Sequence, residues 1–144
     1  MILIIDDDSS IRTSLSFLLK RAGYQVATVP GPEEALRLVR AETFELILMD
    51  MNFSLATSGE EGLRLLREVK VFQPRVPVIL MTAWGSIQLA VQGMQAGAFD
   101  FVTKPWDNRA LLKTVRTALS PRYSNIINCY HIFINSRIFR ILRY

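Results

Sequence analysis

The chain has 144 residues, 50% of them hydrophobic and 21% charged, which suffices for one buried core and is too short for a sensor joined to an effector of ordinary size. Its mean hydropathy is +0.22, yet no apolar run, residues 76–83 included, approaches the roughly 20 residues of a membrane span, and Met1-Ile-Leu-Ile-Ile-Asp6 meets acid with no basic stretch before it, unlike a signal peptide. The net charge of +4 is unevenly spread: residues 1–120 hold all 13 acidic and 13 of the 17 basic side chains, so the excess lies in Arg122, Arg137, Arg140 and Arg143.

Apolar runs and helix-period segments alternate five times. Residues 2–5 form a short, continuous, branched run that reads as a buried strand. Ser9 or Ser10 can cap the next segment, where Ile11, Leu15, Leu18 and Leu19 recur at helical spacing until Gly23. Residues 25–29 read as the second strand. Gly31-Pro32-Glu33-Glu34 is a helix start, with Pro in the first turn and acid near the positive end of the dipole; Ala35, Leu36 and Val39 form its inner face. Residues 46–49 are the third strand and end at Asp50. Ser58-Gly59-Glu60-Glu61 fits a capping box ahead of Leu63, Leu66 and Val69. Residues 76–81 are the fourth strand, and Ser86 opens a helix through Leu89, Ala90, Val91 and Met94 that ends near Gly97. Residues 99–103 are the fifth strand. Asp107 caps a last helix with Leu111, Leu112, Val115 and Leu119, which Pro121 breaks.

Five strand–helix pairs predict an α/β fold, a doubly wound parallel sheet with helices on both faces. Ligands of such sheets sit outside the carboxyl ends of the strands, where the strand order reverses. Polar residues just past those ends are therefore the candidates. Asp6, Asp7 and Asp8 follow the first strand, Asp50 the third, Thr82 the fourth and Lys104-Pro105 the fifth. Converging carboxylates repel and raise one another's pKa, and a divalent cation relieves this. A few hard oxygen ligands suit magnesium, with manganese as an alternative. Carboxylate, cation, hydroxyl and amine together are what phosphoryl transfer uses. Each residue also has a plainer role: Asp8 as a helix cap, Lys104 as a solvated turn residue, Phe101 as a core aromatic. The set and its order carry the specificity.

Ile5-Asp6-Asp7, Leu48-Met49-Asp50, Met81-Thr82-Ala83 and Thr103-Lys104-Pro105 resemble the response-regulator receiver domain of two-component signalling, over about residues 1–119. Met81-Thr-Ala-Trp-Gly-Ser86 and Ala96-Gly-Ala-Phe-Asp-Phe-Val-Thr-Lys-Pro105 look most like receivers of sigma-54-dependent, enhancer-binding transcription regulators. The resemblance implies a flavodoxin-like sheet of order 2-1-3-4-5 with five helices. It implies that Asp50 accepts a phosphoryl group from a histidine kinase. Asp7, Asp50 and the backbone carbonyl of Asn52 would bind magnesium directly, and Asp6 through water. Lys104 would hold a phosphoryl oxygen, and the bond to Pro105 would be cis. Thr82 would swing to the phosphoryl group while Phe101 moves inward. The fourth helix, fifth strand and fifth helix would form the output face, and a homodimer interface. Neither direct nucleic-acid binding by this domain nor membrane contact is implied.

The chain departs from the family in one loop. Receivers commonly carry Met-Pro soon after the acceptor and a Gly a few residues later, whereas Met51-Asn-Phe-Ser-Leu-Ala-Thr-Ser-Gly59 is longer and lacks Pro. This predicts a loop that is mobile without metal. Residues 121–144 match nothing in the family and read as a basic, apolar tail, a truncated linker or a frame-shifted end. The single Cys129 and single His131 fall there, too few for a disulfide framework or a Cys or His metal cluster. No effector domain is visible, and the expected location is cytoplasmic. Two other readings stay open: a dehalogenase-like phosphatase, for which Asp6-x-Asp8 supplies part of a motif, and a pseudo-receiver that only binds partners.

Overall fold

The computed structural model describes residues 1–53, 59–83 and 87–121. The loop residues 54–58, Ser58 of the capping box, the Ser86 helix start and all of the tail beyond Pro121 lie outside the described residues. The elements run in the order β1 (Ile2–Ile5), α1 (Ser9–Arg21), β2 (Val26–Val29), α2 (Pro32–Ala41), β3 (Leu46–Asp50), α3 (Glu60–Phe72), β4 (Val78–Ala83), α4 (Ile87–Gln95), β5 (Asp100–Lys104) and α5 (Asn108–Ala118).

The five strands form one parallel sheet of order β2-β1-β3-β4-β5. Successive side chains of a strand point to opposite faces, and both faces are covered here. Ile2 and Ile4 of β1, Leu46 and Leu48 of β3, and Ile79 and Met81 of β4 pack with Leu15 and Leu19 of α1 and with Leu111, Val115 and Ala118 of α5. Leu3, Ile5, Ile47, Met49, Val78 and Leu80 pack instead with Ala35 and Val39 of α2 and with Leu63, Leu65, Leu66 and Val69 of α3. This two-sided burial is why the central strands read as unbroken apolar runs.

Several boundaries differ from the sequence reading, each for a local reason. Asp8, not Ser9 or Ser10, caps α1; its Oδ1 accepts from the Ser10 and Ile11 amides at 2.8 and 3.4 Å. β4 begins at Val78 because Pro77 has no amide to give the ladder; Pro77 contributes only its carbonyl, to the Ile47 amide at 3.0 Å. Gly59 stands at the N-cap of α3 with φ +68°, and no side chain among the described residues caps that helix. Asp107 does cap α5, accepting from the Arg109 amide at 3.2 Å. That helix stops at Ala118, three residues before Pro121. Phe101 is not a core aromatic. It is 39% exposed, because β5 is an edge strand whose side chains alternate between half-burial and solvent.

Lys70, in the last turn of α3, donates to the Val76 carbonyl at 2.8 Å. Burial pushes its amine down to about 8. The folded value lies below the unfolded one, so between about pH 8 and 10.5 the unfolded chain holds a proton that the folded chain has lost. Stability from this group therefore rises with pH across that window. Lys70→Met removes the desolvated charge and also one hydrogen bond, for a net gain of about 1 kcal/mol at pH 7. Urea melts at pH 7 and pH 10 check this: the wild type should gain on the variant as pH rises, and a constant gap would contradict it.

Candidate metal and phosphoacceptor site

β1 and β3 lie side by side in register, Ile5 against Met49. The next residue of each, Asp6 and Asp50, therefore emerges at the same sheet edge. This is also the point at which the chain, having placed β2 on one side of β1, crosses to the other, the crevice where such sheets bind ligands. Asp6 and Asp50 are buried, at 1% and 4% exposure, while Asp7 is exposed. A carboxylate oxygen from each of the three lies within 4.8 Å of the others.

Lys104 ends β5, two strands from β3. Strands are spaced about 4.8 Å apart, so only a long side chain spans the gap. Its Nζ donates to Asp6 Oδ2 at 2.8 Å and stands 3.2 Å from Asp50 Oδ1. The peptide bond between Lys104 and Pro105 is cis. The Asn52 amide donates to Asp50 Oδ1 at 3.3 Å. Thr82 is buried inside β4 rather than just past it, paired with Thr103 of β5. It sits one position beyond Met81, the residue in register with Asp50. Phe101 stands partly in solvent, 39% exposed.

The electrostatics follow from this packing. Burial, reinforced by the neighbouring Asp6 charge, pushes the Asp50 carboxyl up to about 6, although Lys104 and the Asn52 amide oppose the rise. Burial alone would lower the Lys104 amine, but its hydrogen bond to Asp6 and the charges of Asp50 and Asp6 outweigh that and raise it. At neutral pH the pocket thus holds a largely ionised, poorly solvated carboxylate with a fixed cation beside it. Such a carboxylate is a usable oxygen nucleophile, and the adjacent ammonium can neutralise an incoming phosphoryl oxygen.

The sequence family described as the response regulator receiver domain matches residues 2–116. The chain belongs to that family. Among curated relatives of this receiver, the transcriptional regulatory protein ZraR of Escherichia coli K12 is 37% identical over 123 residues, covering 85% of this chain and 27% of ZraR. The response regulator protein FleR of Pseudomonas aeruginosa is 37% identical over 114 residues, covering 79% of this chain and 23% of FleR. The receiver thus spans about a quarter of the length of these relatives. Among solved structures, the receiver domain of NtrX from Brucella abortus superposes with a TM-score of 0.77 at 29% identity, covering 83% of this chain and 98% of that one. The N-terminal signal receiver domain of a two-component response regulator from Bacteroides fragilis gives 0.72 at 41% identity, covering 83% and 95%.

Receiver domains bind magnesium at an acidic cluster of this kind, and the donor set here fits one. The three carboxylates are hard oxygen donors, and the exposed Asp7 keeps the site open to water. Asn52 Oδ1 is a further buried oxygen without a hydrogen-bond partner among the described residues. The dehalogenase-like reading loses its second acid, since the Asp8 carboxylate is engaged as the α1 cap. No helix among the described residues is long and apolar enough to cross a membrane.

Sequence reasoning missed Arg12. Its guanidinium donates to the Asp6 backbone carbonyl at 2.7 Å, bracing the chain where it leaves β1. One signal was available: a cation in the first turn of a helix opposes the helix dipole, so its presence there points to a specific partner.

Proposed function

We propose that this receiver is a phosphorelay switch whose acceptor is Asp50, and that it governs an effector of the transcription-regulating kind found in its sigma-54-dependent relatives. The observation that carries the reading is the Lys104 amine lying between the buried carboxylates of Asp6 and Asp50. An Asp50 oxygen attacks the phosphorus of a histidine kinase's phosphoimidazole. The new bond is an acyl phosphate, and the P–N bond breaks as the imidazole leaves and takes up a proton. Lys104 holds one phosphoryl oxygen. Magnesium, or manganese, when bound by Asp7, Asp50 and the Asn52 carbonyl and through water by Asp6, supplies neutralising charge. The chain acts as an acceptor rather than an enzyme, with at most slow self-dephosphorylation.

Thr82 and Phe101 form the switch: the hydroxyl turns to the phosphoryl group and the ring moves inward from its exposed position. Ile87, Val91 and Met94 support α4, β5 and α5 as the partner or homodimer face. They recur at helical spacing on α4 and are exposed, as is Phe101 of β5. The domain comprises residues 1–120, with 121–144 as a tail or truncated linker, and works in the cytoplasm.

A radiolabelled acetyl phosphate assay tests the reading. Magnesium-dependent label should appear on wild type and vanish in Asp50→Ala. Steady release of phosphate from simple esters would favour a phosphatase, and neither label nor release would leave only a binding module.

A further inference from the structure

We infer that Gly62 is a positioning residue for the acceptor site, although it touches none of the acids. It lies in the first turn of α3 and is buried. Glycine inside a helix is unfavourable, so its presence there asks for a reason. The reason is a close approach of two backbones. A Cβ at position 62 would lie 2.5 Å from the carbonyl oxygen of Met51, 2.7 Å from its Cα and 2.9 Å from its carbonyl carbon. These are main-chain atoms and cannot turn aside as a side-chain tip would. Met51 is fully buried, and its amide donates to the Met81 carbonyl of β4 at 3.0 Å. It is therefore held by the sheet on one side and by α3 on the other.

The peptide seated in this way joins Met51 to Asn52. Its N–H is the one that reaches Asp50 Oδ1. The carbonyl of Asn52 follows on the same short stretch of chain. Gly62 thus sets how far α3 closes on that peptide, and through it where the Asn52 groups stand relative to the acceptor. The other buried helical glycine, Gly93, differs: its Cβ would meet only the side chain of Leu80.

The inference rests on the reading of Asp6, Asp7 and Asp50 as a magnesium site, and the test separates the two. Magnesium is titrated into the whole chain, followed by tryptophan fluorescence, for wild type, Gly62→Ala and Val69→Ala. Val69 is buried further along α3, so its truncation loosens the helix without crowding Met51. Gly62→Ala should weaken magnesium binding at least about tenfold, the lower end of what losing support behind a metal ligand does. Val69→Ala should stay within about twofold at a similar loss of thermal stability. Equal affinity in wild type and Gly62→Ala overturns the positioning role alone; a wild type that binds no magnesium overturns the site reading and this inference with it. Should Gly62→Ala fail to fold, native-state hydrogen exchange of the wild type decides. The Asn52 amide should open together with the Leu66 amide of α3 at the same denaturant slope, and independent opening of Asn52 overturns the role.

Discussion

Asp50→Asn is expected to stabilise the folded chain at pH 7 by about 2 kcal/mol in the absence of divalent metal. The Asp50 carboxylate is 4% exposed and has a second buried acid, Asp6, as its neighbour. Its folded pKa of about 6 lies above the ordinary carboxylate value of 3.8. Between those values the folded chain holds a proton that the unfolded chain releases, so stability from this group falls as pH rises through the window. The penalty is fully present by pH 7. The amide keeps the shape, removes the charge and should abolish the slope between about pH 4 and 6. Denaturant melts of both proteins at pH 4.5 and pH 7 measure it, and a gap that fails to widen toward pH 7 would contradict the account. Magnesium should reverse the order: a ligand at a hundred times its Kd stabilises the state it binds by about 2.7 kcal/mol, and the variant lacks one of its donors.

Lys104→Met should have the opposite sign and a comparable size. It leaves Asp6 and Asp50 buried together with no cation. Removing one partner of a buried ion pair typically costs 3–5 kcal/mol; with Lys104 itself 21% exposed, water can approach and about 3 kcal/mol is expected. The Asp50 carboxyl should then titrate above its present value of about 6, because the opposing charge is gone. Adding Asp50→Asn should return part of the loss, with a coupling of about 1–2 kcal/mol in a double-mutant cycle. Additive losses would mean that the amine and the acceptor do not sense each other. The carboxyl titration is readable by NMR on the same samples.

The sheet was legible because parallel strands buried on both faces leave a plain signal, as in Leu46-Ile-Leu-Met-Asp50. The site was legible for a related reason: a strand's end is a fixed place, so acids placed after β1 and β3 must meet. What stayed hidden depended on contacts with no periodic signature. The exposure of Phe101 follows from β5 lying at the sheet edge, which the run of residues 99–103 does not announce. The role of Arg12 is a side chain meeting a main-chain carbonyl across a turn. The fit between Gly62 and Met51 needs two backbones in three dimensions.

The fifth helix gives this arrangement a mechanical side. It starts at Asn108, four residues after Lys104, whose amine stands 3.2 Å from Asp50 Oδ1. Leu111, Val115 and Ala118 tie three successive turns of it to the sheet. At 1.5 Å per residue its 11 residues extend about 16 Å toward the opposite rim. A tilt of about ten degrees begun beside Lys104 would reach Ala118 as a sweep of roughly 3 Å, from rod length alone.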